Sequence, residues 1–241
     1  MKKDYLERQS YPTELTDSQW AIIAPLFLGM REYKYSKREL LNAVFYVVDS
    51  GCKWRQLPHD FPKWQTVYSF FRRSIEKNLW NKILEHLVKV THKKAGRNPN
   101  PSYALIDSQK TKGRKRHIAT DTLGCLLALK IHKANLHDTK SGIFTALEAY
   151  RKYPTIRKYC ADSGYRGSFV NNVKTILDLD VDISAKIIPQ GWKVVPKRWV
   201  VERTFAWLNN SRRLSKDYEI LTCSAKAMII LSHCHTLLKR L

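Results

Sequence analysis

Acidic residues are scarce in this chain. Of its 241 residues only 21 are Asp or Glu, against 43 Lys or Arg, and the formal net charge is +22. An excess of this size repels itself unless a polyanion neutralises it. The cations are spread through segments with apolar periodicity instead of forming a tail, so the composition predicts a nucleic acid as the partner. A soluble protein that is merely basic is the alternative.

Long apolar runs and cysteines are also few. No run approaches the roughly 18 apolar residues of a membrane-spanning helix, and the lysines of "MKKDYLERQS" precede no apolar stretch, so we expect a cytoplasmic protein without a membrane partner. The five cysteines are odd in number and widely spaced, which predicts reduced thiols. Cys223 and the "HCH" of His233 to His235 lack the paired spacing of a zinc site and are interpreted as ordinary helix.

The first third of the sequence reads as helices. Thr16 with Gln19 and Ser36 with Glu39 have the spacing of capping boxes. Apolar residues at helical spacing follow both, and Gly51 is positioned to end the second helix. A loop with two prolines, "CKWRQLPHDFPKW", comes next.

A third helix is predicted over residues 65–77. Its apolar side chains face inward, while Arg72 and Arg73 face outward. A short basic helix after a turn suits a helix-turn-helix that reads the major groove, although a plain three-helix bundle with a solvated face fits equally well. Residues 95–101 combine Gly, Pro and basic residues without periodicity and are predicted to be a linker. They separate a helical DNA-binding domain, 1–94, from a second domain, 102–241.

The second domain alternates strands and helices. "YALID", "RKRHIATD" and "CLLALKIH" predict three antiparallel strands. A helix, a strand ending at Asp162, a helix, a strand and a last helix from Pro196 follow. This is the element order of an α/β, ribonuclease-H-like fold, a mixed five-stranded sheet with flanking helices.

Three carboxylates occupy special places in this order. Asp107 and Asp162 end the first and fourth strands, which lie side by side in such a fold, and Glu202 lies on the helix that crosses the sheet. Converging carboxylates favour hard cations, so we expect two Mg²⁺ or Mn²⁺ ions. The alternative is ordinary roles: a turn residue, an Asx cap, and a Glu202 paired with Arg198.

The motifs resemble those of a known family. Over nearly its whole length the chain is similar to the bacterial insertion-sequence transposases of the IS-five family, in "YPTELTDSQW", "SGCKWRQLPHDFPKWQTVYSFFRR", "IDSQ", "KGRKRHIATDTLG", "ADSGYRG", "RWVVERTFAWL" and "RRLSKDYE". The resemblance implies a DDE transposase whose amino-terminal region binds the element's terminal repeats. It assigns Asp107, Asp162 and Glu202 as catalytic and metal-binding acids that support DNA cleavage and strand transfer. It further implies a nucleoid-associated protein that is at least a homodimer in its active complex.

Several cations are candidates for DNA contact. In a strand, Arg114 and Arg116 would share one face while Lys115 and His117 share the other, and one of these faces could bind phosphate. A solvated edge is the alternative for this strand. The complete set of candidates is Arg72, Arg73, Lys112, Arg114, Lys115, Arg116, Arg166, Arg198, Arg203, Arg212 and Arg213. Tryptophans such as Trp54 and Trp64 could stack on extruded bases but are expected mainly in the core, except for Trp192 near the site.

Two departures from the family pattern leave alternatives open. Relatives usually have a longer segment after the first strand, whereas only residues 108–111 separate Asp107 from Lys112. Val195 and Asn209 stand where Tyr and Lys are common. An inactive, internally shortened remnant that still binds DNA is therefore the alternative to an active transposase. A nuclease on the same fold is a third reading, which the helical first third disfavours.

Overall fold

The computed structural model describes residues 10–111, 113–184 and 199–241. Predicted contacts at Lys112, Trp192 and Arg198, and the predicted helix start at Pro196, lie outside these residues. Among the described helices, none is both long enough and apolar enough to cross a bilayer.

The amino-terminal part, as described from residue 10 onwards, contains four α-helices: α1 (Asp17–Ile23), α2 (Lys37–Ser50), α3 (Trp64–Glu76) and α4 (Leu79–Lys94). Thr16 and Gln19 form the predicted capping box at α1. The Ser36 hydroxyl accepts from the backbone N–H of Glu39 at 3.1 Å, which satisfies one of the unpaired donors at the start of α2. Gly51 ends α2 in the left-handed conformation, with φ 72°, as predicted.

In the described part of the chain, five strands form one sheet: β1 (Tyr103–Thr111), β2 (Arg114–Thr120), β3 (Leu126–Lys133), β4 (Lys158–Ala161) and β5 (Asp180–Ile183). The strand order is β3-β2-β1-β4-β5. The first three strands pair antiparallel, and β4 and β5 continue parallel to β1. This topology confirms the predicted ribonuclease-H-like fold.

Helices cover both faces of the sheet: α5 (Asp138–Lys152), α6 (Ser168–Leu177), α7 (Trp199–Asn209) and α8 (Thr222–Leu238). On one face, the Tyr159 hydroxyl of β4 donates to the Ala146 carbonyl of α5 at 2.9 Å. On the other, α7 packs over β1 and β2. Val201, Phe205 and Leu208 are buried, which is the apolar stripe that the spacing of α7 implies.

The hairpin between β1 and β2 closes despite its short connection. Thr111 pairs with Arg114, and Gly113 has a φ of 79°. Glycine adopts such a positive φ at little cost, and tight hairpin turns favour it because the backbone twist then matches that of the strands. β1 therefore runs four residues past Asp107, beyond its predicted end, because β2 continues to pair with it.

Helix α8 joins the two parts of the molecule. It is buried on nearly every side and packs against α2, α3 and α4 as well as β3 and α7. The ring of His235 stacks on Phe45 of α2, with centroids 4.6 Å apart, and His233 accepts from the backbone N–H of Leu126 in β3 at 2.9 Å. The "HCH" stretch is thus ordinary buried helix, as predicted, and both sides of the 95–101 segment contribute to one continuous core.

A buried ion pair provides a second link between the parts. His92 of α4 lies 2.7 Å from the Asp121 carboxylate in the β2–β3 turn, and its other ring nitrogen lies 2.8 Å from the Asn98 carbonyl. Because both nitrogens face acceptors, the doubly protonated ring fits best. The hydrogen bond to Asp121 accordingly raises the pKa of His92, although burial opposes this. The adjacent Cys125 thiol is buried, which raises its pKa far above the usual range.

Replacing His92 should make stability depend less on pH. At about pH 6 we expect His92→Gln to lower the free energy of unfolding by about 3 kcal/mol, because it leaves Asp121 buried without its cation. The folded-state pKa of His92 is raised. The ion pair therefore contributes fully to the free energy of unfolding below the pKa of His92 in the unfolded chain, about 6.5. This contribution is lost as pH rises through the pKa of His92 in the folded protein.

Chemical denaturation of both proteins between about pH 6 and 9 tests this expectation. The difference between wild type and variant should shrink as pH rises, whereas a constant difference would contradict the ion pair. The matched control is His86→Gln, at a partly exposed position of the same helix, which removes an imidazole but leaves the pair of His92 and Asp121 intact.

Candidate active site

Asp107 and Asp162 lie side by side at the centre of the sheet. Ile106 of β1 pairs with Ala161 of β4 in parallel register, so the next residue of each strand is an aspartate. Neighbouring strands are about 4.8 Å apart. β4 ends here while β1 continues with β2 alone, and a small cleft opens where the pairing stops.

Local hydrogen bonds orient both carboxylates. Asp162 caps the 3₁₀ turn Ser163–Tyr165, and its Oδ1 accepts from the N–H of Gly164 at 2.9 Å. Asp107 Oδ1 accepts from the N–H of Ser108 at 2.7 Å. Asp162 therefore has the Asx-cap geometry considered as its ordinary role. The same bond fixes the direction of the side chain that lines the cleft.

Glu202 lies next to the cleft wall. The cleft is lined by Leu105, Ile106, Asp107, Cys160, Ala161, Asp162 and Val201. Glu202 follows Val201 in the first turn of α7 and is exposed. The structure thus brings Asp107 and Asp162 together. The predicted third acid, Glu202, directly follows Val201, which lines the same cleft.

The donor set of the cleft fits a divalent cation. Asp107 and Asp162 are both partly exposed, and their carboxylate oxygens are hard donors of the kind that Mg²⁺ and Mn²⁺ prefer. Two carboxylates on adjacent strands also repel each other unless a cation lies between them.

A polar network supports the opposite face of β1. Asp138, at the start of α5, accepts from the Ser108 hydroxyl at 2.8 Å and from the Lys115 ammonium at 2.9 Å. His117 Nε2 lies 3.0 Å from the same carboxylate. Burial lowers the pKa of His117 to about 4, so the ring is neutral near pH 7. Burial works against the Asp138 charge, but the hydrogen bonds from Lys115 and Ser108 keep its pKa below the usual value.

Sequence reasoning missed Asp138. Asp138 lies in the first turn of a helix, where acids are common because they interact favourably with the helix dipole. Its place in the sequence therefore did not distinguish it from other acids at helix starts. The residue beside Asp107, Ser108, belongs to the "IDSQ" motif and was the available clue. Its side chain points away from the cleft, and its contact with Asp138 required the tertiary structure.

Two predicted phosphate contacts are buried instead. Lys115 and Arg116 are each 3% exposed. Lys115 binds Asp138, while Arg116 donates to the Leu214 carbonyl at 3.1 Å on the other side of the sheet. The predicted alternation along β2 is therefore correct, but the expectation of a phosphate-binding or solvated face is not met. The reason is that β2 lies between β1 and β3, with helices over both faces.

Arg114 and Arg213 also form ion pairs and hydrogen bonds within the protein. Arg114 Nη1 lies 3.1 Å from Asp217, and its guanidinium donates to the carbonyls of Glu219 and Ile220 at 2.8 and 2.7 Å. Arg213 Nη2 lies 2.6 Å from the Glu219 carboxylate. These two cations hold the segment before α8 in place.

The other predicted cations reach the surface to different degrees. Arg166 and Arg212 are exposed, whereas Arg72, Arg73 and Arg203 are partly buried. The Arg203 guanidinium lies between the rings of Trp199 and Trp207, at 4.5 and 4.6 Å from their centroids. Arg72 extends towards Cys223 and Ser224 of α8. Of the predicted DNA contacts that are exposed, Arg166, four residues after Asp162, is the nearest in sequence to the cleft.

Comparisons with known proteins agree with this architecture. Residues 86–237 match the family model described as "Transposase DDE domain", and residues 15–102 match "Putative transposase of IS4/5 family". A putative transposase for insertion sequence element IS402 from Burkholderia cepacia is 30% identical over 128 residues, which are 50% of this chain and 58% of that protein. The chain thus spans little more than half the length of this relative.

One solved structure is a distant neighbour. The catalytic core domain of BIV integrase aligns with a TM-score of 0.39 and 16% identity, over 54% of this chain and 80% of its own. The family model that covers more than half of the residues is the stronger finding. The chain belongs to the DDE transposases, and its amino-terminal part matches the IS4/5 group.

Proposed function

We propose that this protein is a DNA transposase that binds the terminal repeats of an insertion sequence, cleaves the DNA there and joins the freed ends to target DNA. The register of β1 and β4 carries the proposal, because it sets Asp107 beside Asp162 at the end of two parallel strands. The charge of +22 supports a polyanionic substrate.

Asp107, Asp162 and Glu202 are the proposed catalytic and metal-binding acids. Asp107 lies on the central strand, and together with Asp162 and Glu202 it would hold two divalent ions. When bound, Mg²⁺ or Mn²⁺ would stabilise the charge on the attacking and leaving oxygens of the phosphodiester. The carboxylates must stay ionised for this role, and the N–H groups of Ser108 and Gly164 hold two of them in position.

The proposed reaction has two steps, and each is a displacement at a phosphodiester. Water first hydrolyses the phosphodiester at each element end and frees a 3′-hydroxyl, and the hydroxyl then attacks a phosphodiester of the target. Both steps displace an oxygen in line and need positioning and charge stabilisation more than a dedicated base. The exposed guanidinium of Arg166 is a suitable contact for a phosphate that enters the cleft.

Residues 1–94, which include helices α1 to α4, are the proposed reader of the terminal repeats. Arg73 of α3 borders a shallow surface depression together with Arg31, Lys34 and other residues of the segment before α2, which suits contact with the DNA backbone. Two element ends must meet one target, so the active complex would contain at least two chains. Such a protein would act at the bacterial nucleoid.

The described part of the structure does not favour an inactive remnant. The shortened segment after Asp107 still allows a complete hairpin, and the two aspartates keep their register. A nuclease on the same fold would have no need of a helical part that shares its core with the sheet. The active transposase is therefore the proposal retained.

Neutralising either central aspartate should abolish the chemistry. We expect Asp107→Asn and Asp162→Asn each to reduce strand transfer by roughly 1000-fold or more, because electrostatic stabilisation of the transition state is lost. The assay uses a labelled duplex that carries the terminal repeat, a supercoiled target and Mg²⁺ or Mn²⁺. Chelation with EDTA should stop the wild-type reaction, and added Mg²⁺ should restore it.

The matched control is Asp178→Asn. Asp178 is exposed and has a φ of 51°, a left-handed conformation that Asn tolerates well. This variant should transfer strands as the wild type does, and all variants should bind the duplex. Strand transfer by Asp107→Asn at the wild-type rate would contradict the assignment.

Exposed and buried arginines should respond differently to substitution. Arg166→Gln should weaken DNA binding and reduce the slope of log affinity against log salt concentration by about 1, because one phosphate contact is lost. Arg116→Gln should leave that slope unchanged and lower the denaturation midpoint, because Arg116 is buried and binds Leu214. Fluorescence anisotropy at several salt concentrations and chemical denaturation measure the two effects. The same salt slope in wild type and Arg166→Gln would exclude Arg166 as a phosphate contact.

A further inference from the structure

A large cavity lies apart from the catalytic cleft. It has a volume of about 540 Å³ and lies between the start of α3 and the segment that precedes α8. Its lining consists of Lys53, Trp54, Arg55, Trp64, Tyr68, Arg213, Tyr218, Glu219, Ile220, Leu221 and Ser224. None of these residues lines the cleft of Asp107 and Asp162.

The walls of this cavity are aromatic, and several of their apolar side chains are exposed. Trp54, Trp64 and Tyr68 form one side, and Tyr218 contributes from the other. Among the described residues, nine large apolar side chains are exposed, and four of them, Tyr68, Tyr218, Ile220 and Leu221, line this cavity. Apolar side chains concentrated in one open hollow mark a binding surface.

The rim of the cavity is positively charged. Lys53 and Arg55 are exposed, and the Arg55 guanidinium lies 5.4 Å from the centre of the Trp64 ring. Glu219 is the single acid in the lining, and it is paired with Arg213. Lys53 and Arg55 thus give the lining its net positive charge, and they lie beside aromatic side chains.

The wall that carries Tyr218 is held rigidly. Arg114 binds Asp217 and donates to the carbonyls of Glu219 and Ile220. Arg213 donates to the Cys52 carbonyl at 3.1 Å, which ties this wall to the loop after α2. The exposed rings are therefore presented by a fixed support, and little conformational entropy would be lost when a ligand binds.

We propose that this cavity binds a nucleobase that has left the base stack of DNA. A flat, uncharged base would stack on the aromatic walls, and its flanking phosphates would meet Lys53 and Arg55. Each of the four bases has a stacking face, so the site would accept distorted or single-stranded DNA with little sequence preference. This inference rests on the proposed function, since it gives the DNA substrate a second contact outside the catalytic cleft. A second copy of the chain fits less well, because its own excess of positive charge opposes the cationic rim.

The test uses fluorescence anisotropy to compare two DNA duplexes that differ at one base pair only. One is fully paired, and the other has an abasic site opposite a single 2-aminopurine, so that this base leaves the stack at little cost. We expect wild-type protein to bind the abasic duplex between about fivefold and a hundredfold more tightly and to quench the 2-aminopurine emission. Tyr218→Ala and Trp64→Ala should lose the preference and the quenching while they bind the paired duplex within about twofold of wild type.

Two further variants serve as controls. Tyr218→Phe keeps the ring and should keep the preference, as should Phe144→Ala, which removes an exposed ring from α5. Equal binding of the two duplexes by wild type would overturn the cavity proposal but leave DNA binding intact. A preference that survives in both Tyr218→Ala and Trp64→Ala would also overturn it, as would loss of self-association in Tyr218→Ala with the preference unchanged. Failure of wild type to bind either duplex would overturn the proposed function as well.

Discussion

The parallel pairing of β1 with β4 is the constraint on which the site depends. It joins segments more than fifty residues apart and sets Ile106 against Ala161, so that an aspartate follows on each strand. A shift of one residue would turn one carboxylate to the opposite face of the sheet, towards α5. The buried residues on both faces of these strands fix the register, because a slip would also expose Leu105, Ile106 and their neighbours.

Helix α8 extends the same core into the amino-terminal part. It is buried between α2, α3 and α4 on one side and β3 and α7 on the other, so the helical part and the sheet pack against the same helix. The buried pair of His92 and Asp121 crosses the same boundary. The proposed reader of the repeats and the proposed catalytic centre are thus parts of one packed body, which suits an enzyme that must hold a recognised end and a scissile bond in a fixed relation.

The sequence predicted the local features and the strand order well, but not the side-chain contacts between distant segments. The capping box of Thr16, the Gly51 helix end and the strand order depend on neighbouring residues or on the known logic of the fold, and all were predicted. The burial of Lys115 and Arg116 was not, because a basic strand resembles a solvated edge until the sheet order places it in the centre. The contacts of Asp138 and the cavity lined by Trp64 and Tyr218 join segments that are distant in sequence. No local sequence pattern predicts them.

The most direct test of the central claim is a double-mutant cycle on metal affinity. Binding of Mn²⁺ is measured by electron paramagnetic resonance for wild type, Asp107→Asn, Asp162→Asn and the double variant. If the β1–β4 register makes both carboxylates ligands of a common site, each single change should weaken binding strongly and the double change should add much less than the sum of the two. Fully additive losses, or wild-type affinity in either single variant, would contradict the shared site.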